Sequence, residues 1–86
     1  MKRNYNDDAY KQFRKEVLRR DKNKCQMPGC KRKRDLQVHH IRKWSNAHSL
    51  RYHVSNGITL CKKCHKSITG KESHYEQLFM EIVDGL

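Results

Sequence analysis

Apolar residues are scarce in this chain of 86 residues, since only 35% are hydrophobic while 34% are charged. One small domain of this composition rarely buries enough apolar surface to fold unaided, so we expect a metal, disulfides or a partner chain to supplement its core. No run of 18 apolar residues occurs, which argues against a membrane span. The first eight residues also lack an apolar segment, so we expect no secretory signal and a reducing, cytoplasmic location.

Acidic residues are also few, nine against 20 lysines and arginines, and the formal net charge is +11 at pH 7. The positive excess lies in residues 1–34 and 35–70, whereas residues 71–86 are net acidic. A basic surface of this extent favours a polyanionic partner, and nucleic-acid phosphate in particular. The densest basic run, Lys31 to Arg34, is expected either to contact phosphate or to form a solvated loop.

The chain contains one proline and shows no internal repeat or low-complexity tract, which predicts a single domain over residues 1–86. Apolar residues at helical spacing predict an N-terminal helix over 7–22 and a C-terminal helix over 72–84. Between them, a core over 25–70 contains two short predicted strands, near 36–41 and 58–60. The predicted fold class is therefore α+β, with little sheet and flanking helices.

Four cysteines occur as two pairs, Cys25 with Cys30 and Cys61 with Cys64, separated by 30 residues. Thiolates with two to four residues between them can bind one ion from a tight turn, and two such pairs complete a tetrahedral zinc site. Two disulfides or four ordinary buried thiols are the alternatives, but cysteines in a reducing compartment more often bind metal. Because four thiolates leave no position for water, the predicted zinc is structural rather than catalytic.

Three of the six histidines, His39, His40 and His65, are candidates for a second site. If zinc holds Cys30 near Cys61, the strand after Cys30 approaches the helix that carries His65, and imidazoles from two elements can face one divalent ion. A further zinc ligand or a polar cluster without metal is the alternative. Adjacent side chains in a regular strand point to opposite faces, so His39 and His40 share a site only if the strand ends or bulges there; otherwise only one of them acts.

These residues occur in an order that resembles the HNH endonuclease family. Residues 36–41 contain the His-His pair, residues 56–65 contain an Asn followed by Cys-x-x-Cys-His, and residues 17–26 resemble the approach to the first cysteine pair. The chain is most similar to the small, zinc-stapled, stand-alone proteins of phages and bacteria. The resemblance implies a treble-clef-like ββα-metal core, a bacterial or phage-infected host cell, and cleavage of DNA to 5′-phosphate and 3′-hydroxyl ends.

The resemblance also implies a role for each site residue. His40 matches the general base, and Asn56 matches the residue that holds the loop so that the base is oriented. His39 and His65 match ligands of a catalytic divalent ion, which could be Mg²⁺, Mn²⁺, Co²⁺, Ni²⁺ or Zn²⁺. Thr69 stands where the family often has a further ligand.

The expected partner is double-stranded DNA, and we expect nicking with low intrinsic sequence specificity by a monomer or weak dimer. Arg42, Lys43 and Arg51 are candidates for binding phosphate near the cut. Some stand-alone phage proteins of the kind that this chain resembles act beside the genome-packaging terminase, which suggests that enzyme as a partner. The alternative function is a zinc-stapled nucleic-acid-binding module without catalysis.

Overall fold

The computed structural model describes residues 8–42 and 52–86. Within these ranges it contains three α-helices, two strands and one short 3-10 turn, and the predicted α+β class with little sheet is confirmed. None of the described helices is both long enough and apolar enough to cross a bilayer. In chain order the elements are α1 (Asp8–Arg20), β1 (Leu36–His40), the 3-10 turn (Val54–Asn56), β2 (Gly57–Cys61), α2 (Lys62–Ile68) and α3 (Glu72–Asp84).

The two strands pair antiparallel, with His39 opposite Ile58 and His40 opposite Gly57. Since alternate side chains point to opposite faces of a strand, this register separates the sheet into two environments. One face packs against α2 and α3 in an apolar core that includes Ile58 and Phe79. The other face packs against α1. The fold thus places a two-stranded sheet between α1 on one face and α2 and α3 on the other.

Gly57 marks the closest approach between α1 and the sheet. A Cβ atom at this position would lie 2.7 Å from Phe13 Cζ and 2.7 Å from Val17 Cγ2, and both of these side chains are buried. Atoms this close must move apart, and a tightly packed interior resists such movement. Glycine is therefore required by space here, because its φ of −116° is accessible to any residue.

We expect Gly57→Ala to destabilise the protein by about 1–3 kcal/mol, the usual cost of forcing extra atoms into a packed core. Urea unfolding of the zinc-loaded protein, followed by circular dichroism, measures this change. Gly85→Ala is the control, since the nearest atoms to a Cβ there lie 3.6 and 3.8 Å away. Equal unfolding midpoints for the two variants would contradict the packing argument.

The end of α1 is tied to the segment that enters β2 by a buried ion pair. Arg20 Nε lies 2.7 Å from Asp21 Oδ1, and the same guanidinium donates to the carbonyl oxygens of Val54 and Gly57 at 2.7 Å each. Asp21 Oδ2 accepts from the Thr59 N–H at 2.9 Å. Because each charged group has several hydrogen bonds, the pair can be buried without leaving a polar atom unsatisfied, and it fixes the position of the 3-10 turn.

Candidate metal and catalytic sites

The four cysteine sulfurs converge in one cluster, within 4.8 Å of one another. Cys30 Sγ and Cys61 Sγ lie 3.7 Å apart. A tetrahedral zinc with Zn–S bonds of about 2.3 Å separates its sulfurs by about 3.8 Å, so this spacing fits one zinc ion. Convergence of all four sulfurs, rather than of two separate pairs, favours the metal over the alternative of two disulfides. The predicted four-cysteine metal site is therefore supported by the positions of its ligands.

Cys61 joins the sheet to the cluster, because it ends β2 and caps α2. Its sulfur accepts from the Cys64 N–H at 3.4 Å. Burial acts to raise the pKa of Cys61, but hydrogen bonds from the Cys64 N–H and from the neighbouring thiols outweigh burial and lower this pKa to about 7. Burial raises the pKa of the Cys25 and Cys64 thiols. A raised pKa favours the protonated thiol, whereas a bound divalent ion would favour the thiolate at each position.

His39 and His65 come together on the α2 side of the sheet, and their ring centroids are 5.2 Å apart. His39 lies on β1 and is only 7% exposed, and its Nε2 is buried without a hydrogen-bond partner among the described residues. Leaving a buried polar atom without a hydrogen-bond partner costs free energy, and a bound ion or water can supply the missing interaction. His65, from α2, therefore stands beside a nitrogen that is available to a ligand.

The ring of His65 is oriented by Gln37, whose side-chain oxygen accepts from His65 Nδ1. The amide oxygen can only accept, so Nδ1 carries the proton and Nε2 carries the lone pair. This is the arrangement that metal-binding histidines usually show, with one nitrogen on the metal and the other donating to a carbonyl or carboxylate. Gln37 thus prepares His65 to bind a cation through Nε2.

Both of these imidazoles are held in the neutral form. The pKa of His39 is lowered to about 4, chiefly by burial and also by the neighbouring His65, while the carboxylate of Glu72 acts in the opposite direction. Burial also lowers the pKa of His65, again against Glu72. Neutral imidazole is the form that binds a metal, so the unpartnered Nε2 of His39 and the oriented ring of His65 fit a divalent ion.

His40 lies on the opposite face of β1 from His39. Its ring stacks on Phe13 of α1, with centroids 5.0 Å apart and an interplanar angle of 17°. The register is regular through both histidines, so no bulge brings the two rings to one side of the sheet. Of the two arrangements considered from the sequence, the structure has the regular strand. His40 is half-buried and stands at the last position of β1.

Asn56 holds the backbone that follows His40. Its Oδ1 accepts from the Arg42 N–H at 2.9 Å, its Nδ2 donates to the Arg42 carbonyl oxygen at 3.3 Å, and its own carbonyl oxygen accepts from the Ile41 N–H at 2.8 Å. The side chain is nearly fully buried, so these bonds form away from water. Asn56 therefore anchors the end of β1 to the turn that enters β2.

The remaining residues predicted from the sequence are placed as follows. The side chain of Arg42 is exposed and borders a cavity of about 150 Å³, which Ser55, Asn56 and Met80 also line. Lys43 and Arg51 lie outside the described residues, as does Asp7 at the start of the predicted N-terminal helix. The Thr69 hydroxyl donates to the His65 carbonyl oxygen at 3.1 Å and is thus bonded to the backbone of the helix.

Two residues that contact the candidate site, Gln37 and Phe13, were missed by the reasoning from sequence. A signal for Gln37 was present, because a residue two positions before His39 in a strand shares its face. Phe13 lies within the predicted N-terminal helix, but its contact with His40 depends on how α1 crosses the sheet. Both contacts are made by side chains whose partners lie 27 or 28 residues away.

A family model described as HNH endonuclease matches residues 25–71, which is just over half of the chain. The matched segment contains the cysteine cluster, both strands, α2 and the three histidines discussed above. It excludes α1 and α3. Comparison with curated proteins and with solved structures gives no match.

Proposed function

This chain belongs to the HNH endonuclease family, and on that premise we propose that it is a metal-dependent DNA endonuclease that hydrolyses phosphodiester bonds. The observation that carries the proposal is the pairing of His39 and His65. The imidazole of His39 presents a buried nitrogen that has no hydrogen-bond partner within residues 8–42 and 52–86, and that of His65 is oriented by Gln37 so that its lone pair is available. A module that only binds nucleic acid has no need for such a pair beside its structural zinc.

The two metal sites have separate roles in this proposal. The four cysteines would hold a structural zinc, which has no open position for substrate. His39 and His65 would hold a catalytic divalent ion, either Mg²⁺, Mn²⁺, Co²⁺, Ni²⁺ or Zn²⁺. When bound, that ion would stabilise negative charge on the phosphate and on the leaving 3′-oxygen.

His40 is the proposed general base, which accepts the proton of the water that attacks phosphorus. Its position on the face opposite His39 suits this role, because the attacking and leaving oxygens lie on opposite sides of the phosphorus in an in-line displacement. A phosphate at the end of β1 would then meet the base from the α1 side and the two ligands from the α2 side. Stacking on Phe13 restricts the orientation of the base.

Asn56 and Arg42 complete the proposed site. By bonding to the backbone of Arg42, Asn56 fixes the chain two residues beyond His40, which limits movement of the base. Arg42 is exposed and is proposed to bind a phosphate oxygen, together with Lys43 and Arg51. Such contacts give affinity without sequence choice, which agrees with low intrinsic specificity. One site of this kind would cut one strand at each visit, to leave 5′-phosphate and 3′-hydroxyl ends.

The proposal is tested by incubating the zinc-loaded protein with supercoiled plasmid and each candidate divalent ion in turn. We expect nicked circles to accumulate with at least one ion, and DNA ligase to reseal them, since ligase requires a 5′-phosphate beside a 3′-hydroxyl. Plasmid that is bound but is never cut with any of these ions would overturn the proposal in favour of a non-catalytic binding module.

We expect Gln37→Leu to weaken divalent-metal binding at the histidine site about 10–100-fold, the usual cost of removing a partner that orients a ligand. Leucine is similar in size but cannot accept from His65 Nδ1, so the ring loses its fixed orientation. Isothermal titration of the zinc-loaded protein with Mn²⁺ or Ni²⁺ measures the affinity. Gln37→Glu is the matched control, since it keeps an oxygen acceptor and is expected to retain binding.

His65→Ala completes this series, because it removes a proposed ligand and is expected to abolish binding at this site while the protein stays folded. The absorption of Co²⁺ bound to the four cysteines reports whether the structural site is intact in each variant. Unchanged affinity in Gln37→Leu would show that Gln37 does not orient His65, and unchanged affinity in His65→Ala would show that the ion binds elsewhere.

A further inference from the structure

One side of α1 is strongly basic. Four lysine and arginine residues of this helix stand at successive spacings of three, one and four residues, which places their side chains on the same side of the helix. All four are exposed, whereas Phe13 and Val17 on the opposite side are buried against the sheet. We call this surface the α1 basic face; it consists of Lys11, Arg14, Lys15 and Arg19.

Within residues 8–42 and 52–86, no carboxylate forms an ion pair with the α1 basic face. Across the ranges 8–42 and 52–86, the one ion pair joins Arg20 to Asp21 and lies on the buried side of the helix end. On α1 itself, Glu16 Oε1 accepts from Gln12 Nε2 at 3.1 Å. Clustered charges of one sign without partners create a potential that attracts anions.

The α1 basic face also lines a groove with a volume of about 480 Å³, to which Leu18 and Asn23 contribute. Long basic side chains cover apolar surface with their stems while their charged ends reach solvent. Lys11 and Arg19 are eight residues apart and thus about 12 Å apart along the helix. Duplex DNA presents about seven phosphates over that length, so an extended phosphate backbone engages the whole groove better than a single phosphate would.

The location of the groove connects it to the proposed catalytic site. Phe13 lies between Lys11 and Arg14 in the chain, and its ring stacks on His40. Because the α1 basic face lies on the side of α1 opposite Phe13, a duplex that reaches both His40 and this face must pass around the helix, which is about 10–12 Å across. The groove lies before residue 25, outside the segment that matches the family model.

We infer that the α1 basic face is a second contact surface for the DNA backbone, which extends the bound duplex beyond the cut site; the inference rests on the proposed endonuclease function. Each lysine or arginine that neutralises a phosphate releases counterions, so its contribution is read from the salt dependence of binding. This dependence separates direct phosphate contacts from effects on folding.

The test compares two variants of equal charge with the wild-type protein. The first replaces all four residues of the α1 basic face with glutamine, which is a good helix former and keeps an aliphatic stem. The second makes the same change at Lys31, Arg32, Lys33 and Arg34, which are exposed and precede β1, at the end opposite His40. Fluorescence anisotropy of a labelled duplex is measured over a series of NaCl concentrations, with zinc-loaded protein and without added catalytic metal.

We expect the α1 variant to bind more weakly and the slope of log K against log[NaCl] to decrease in magnitude by about 3.6, which corresponds to four lost phosphate contacts. The loop variant should change the slope less. A slope equal to that of the wild type in the α1 variant, or equal losses in both variants, would overturn the inference while the nuclease proposal stands. Failure of the wild-type protein to bind the duplex would overturn both.

Discussion

Replacing Cys25 with serine is expected to abolish the folded state rather than to reduce DNA cleavage alone. Cys25 is 1% exposed and packs in the same apolar core as Ile58 and Leu60, and its sulfur is one of the four that converge. Structural zinc contributes about 10–16 kcal/mol in zinc-finger peptides, which is as large as the entire stability of a typical small domain. With so little apolar surface available, the rest of the chain cannot replace that contribution.

Circular dichroism and the absorption of bound Co²⁺ measure this effect. The variant should lose helical signal and the charge-transfer bands of a four-thiolate site, and a chelator should have the same effect on the wild-type protein. Met27→Ser is the matched control, because Met27 packs against the same core but its sulfur is not among the four. A Cys25→Ser protein that is folded and insensitive to the chelator would show that the metal does not stabilise the fold.

Local patterns in the sequence were sufficient to predict much of the candidate site. The spacing of the cysteines predicted a common metal, and the sulfurs do converge. Strand alternation left two arrangements open for His39 and His40, and the structure has the regular strand, in which the two side chains face opposite ways. Strand alternation follows from backbone geometry alone, and the cysteines are predictable because one metal that needs four thiolates brings two closely spaced pairs together.

Contacts between distant side chains could not be predicted in the same way. The guanidinium of Arg20 binds carbonyl oxygens 34 and 37 residues away, although a basic residue in the last turn of a helix is already favourable for the helix dipole alone. The bond between Gln37 and His65 likewise depends on how α2 packs on the sheet. Neither residue type indicates its partner, because arginine and glutamine are ordinary at exposed positions and become informative only when the packing is known.

In the proposed function, the two faces of the two-stranded sheet have separate roles, because the metal would bind on one face and the base would act from the other. On the α2 side, Gln37 and the apolar core orient the imidazoles of His39 and His65. On the α1 side, Phe13 supports His40. A change confined to one side should therefore affect either metal binding or proton transfer, but not both.

His40→Ala is the variant that tests this division most directly, and we expect it to reduce plasmid nicking by about 10²–10⁴-fold, the usual contribution of a general base. Because His40 is half-buried, and lies on the face opposite His39, metal affinity at the histidine site and DNA binding should stay near their wild-type values. His74→Ala, at an exposed position on α3, is the matched control and should nick at the wild-type rate.

Added imidazole should restore part of the activity of His40→Ala, since it can occupy the vacated space and accept the proton. Wild-type nicking by a folded, zinc-loaded His40→Ala protein would exclude His40 as the base, and a parallel loss of metal affinity would show that the two faces are not independent.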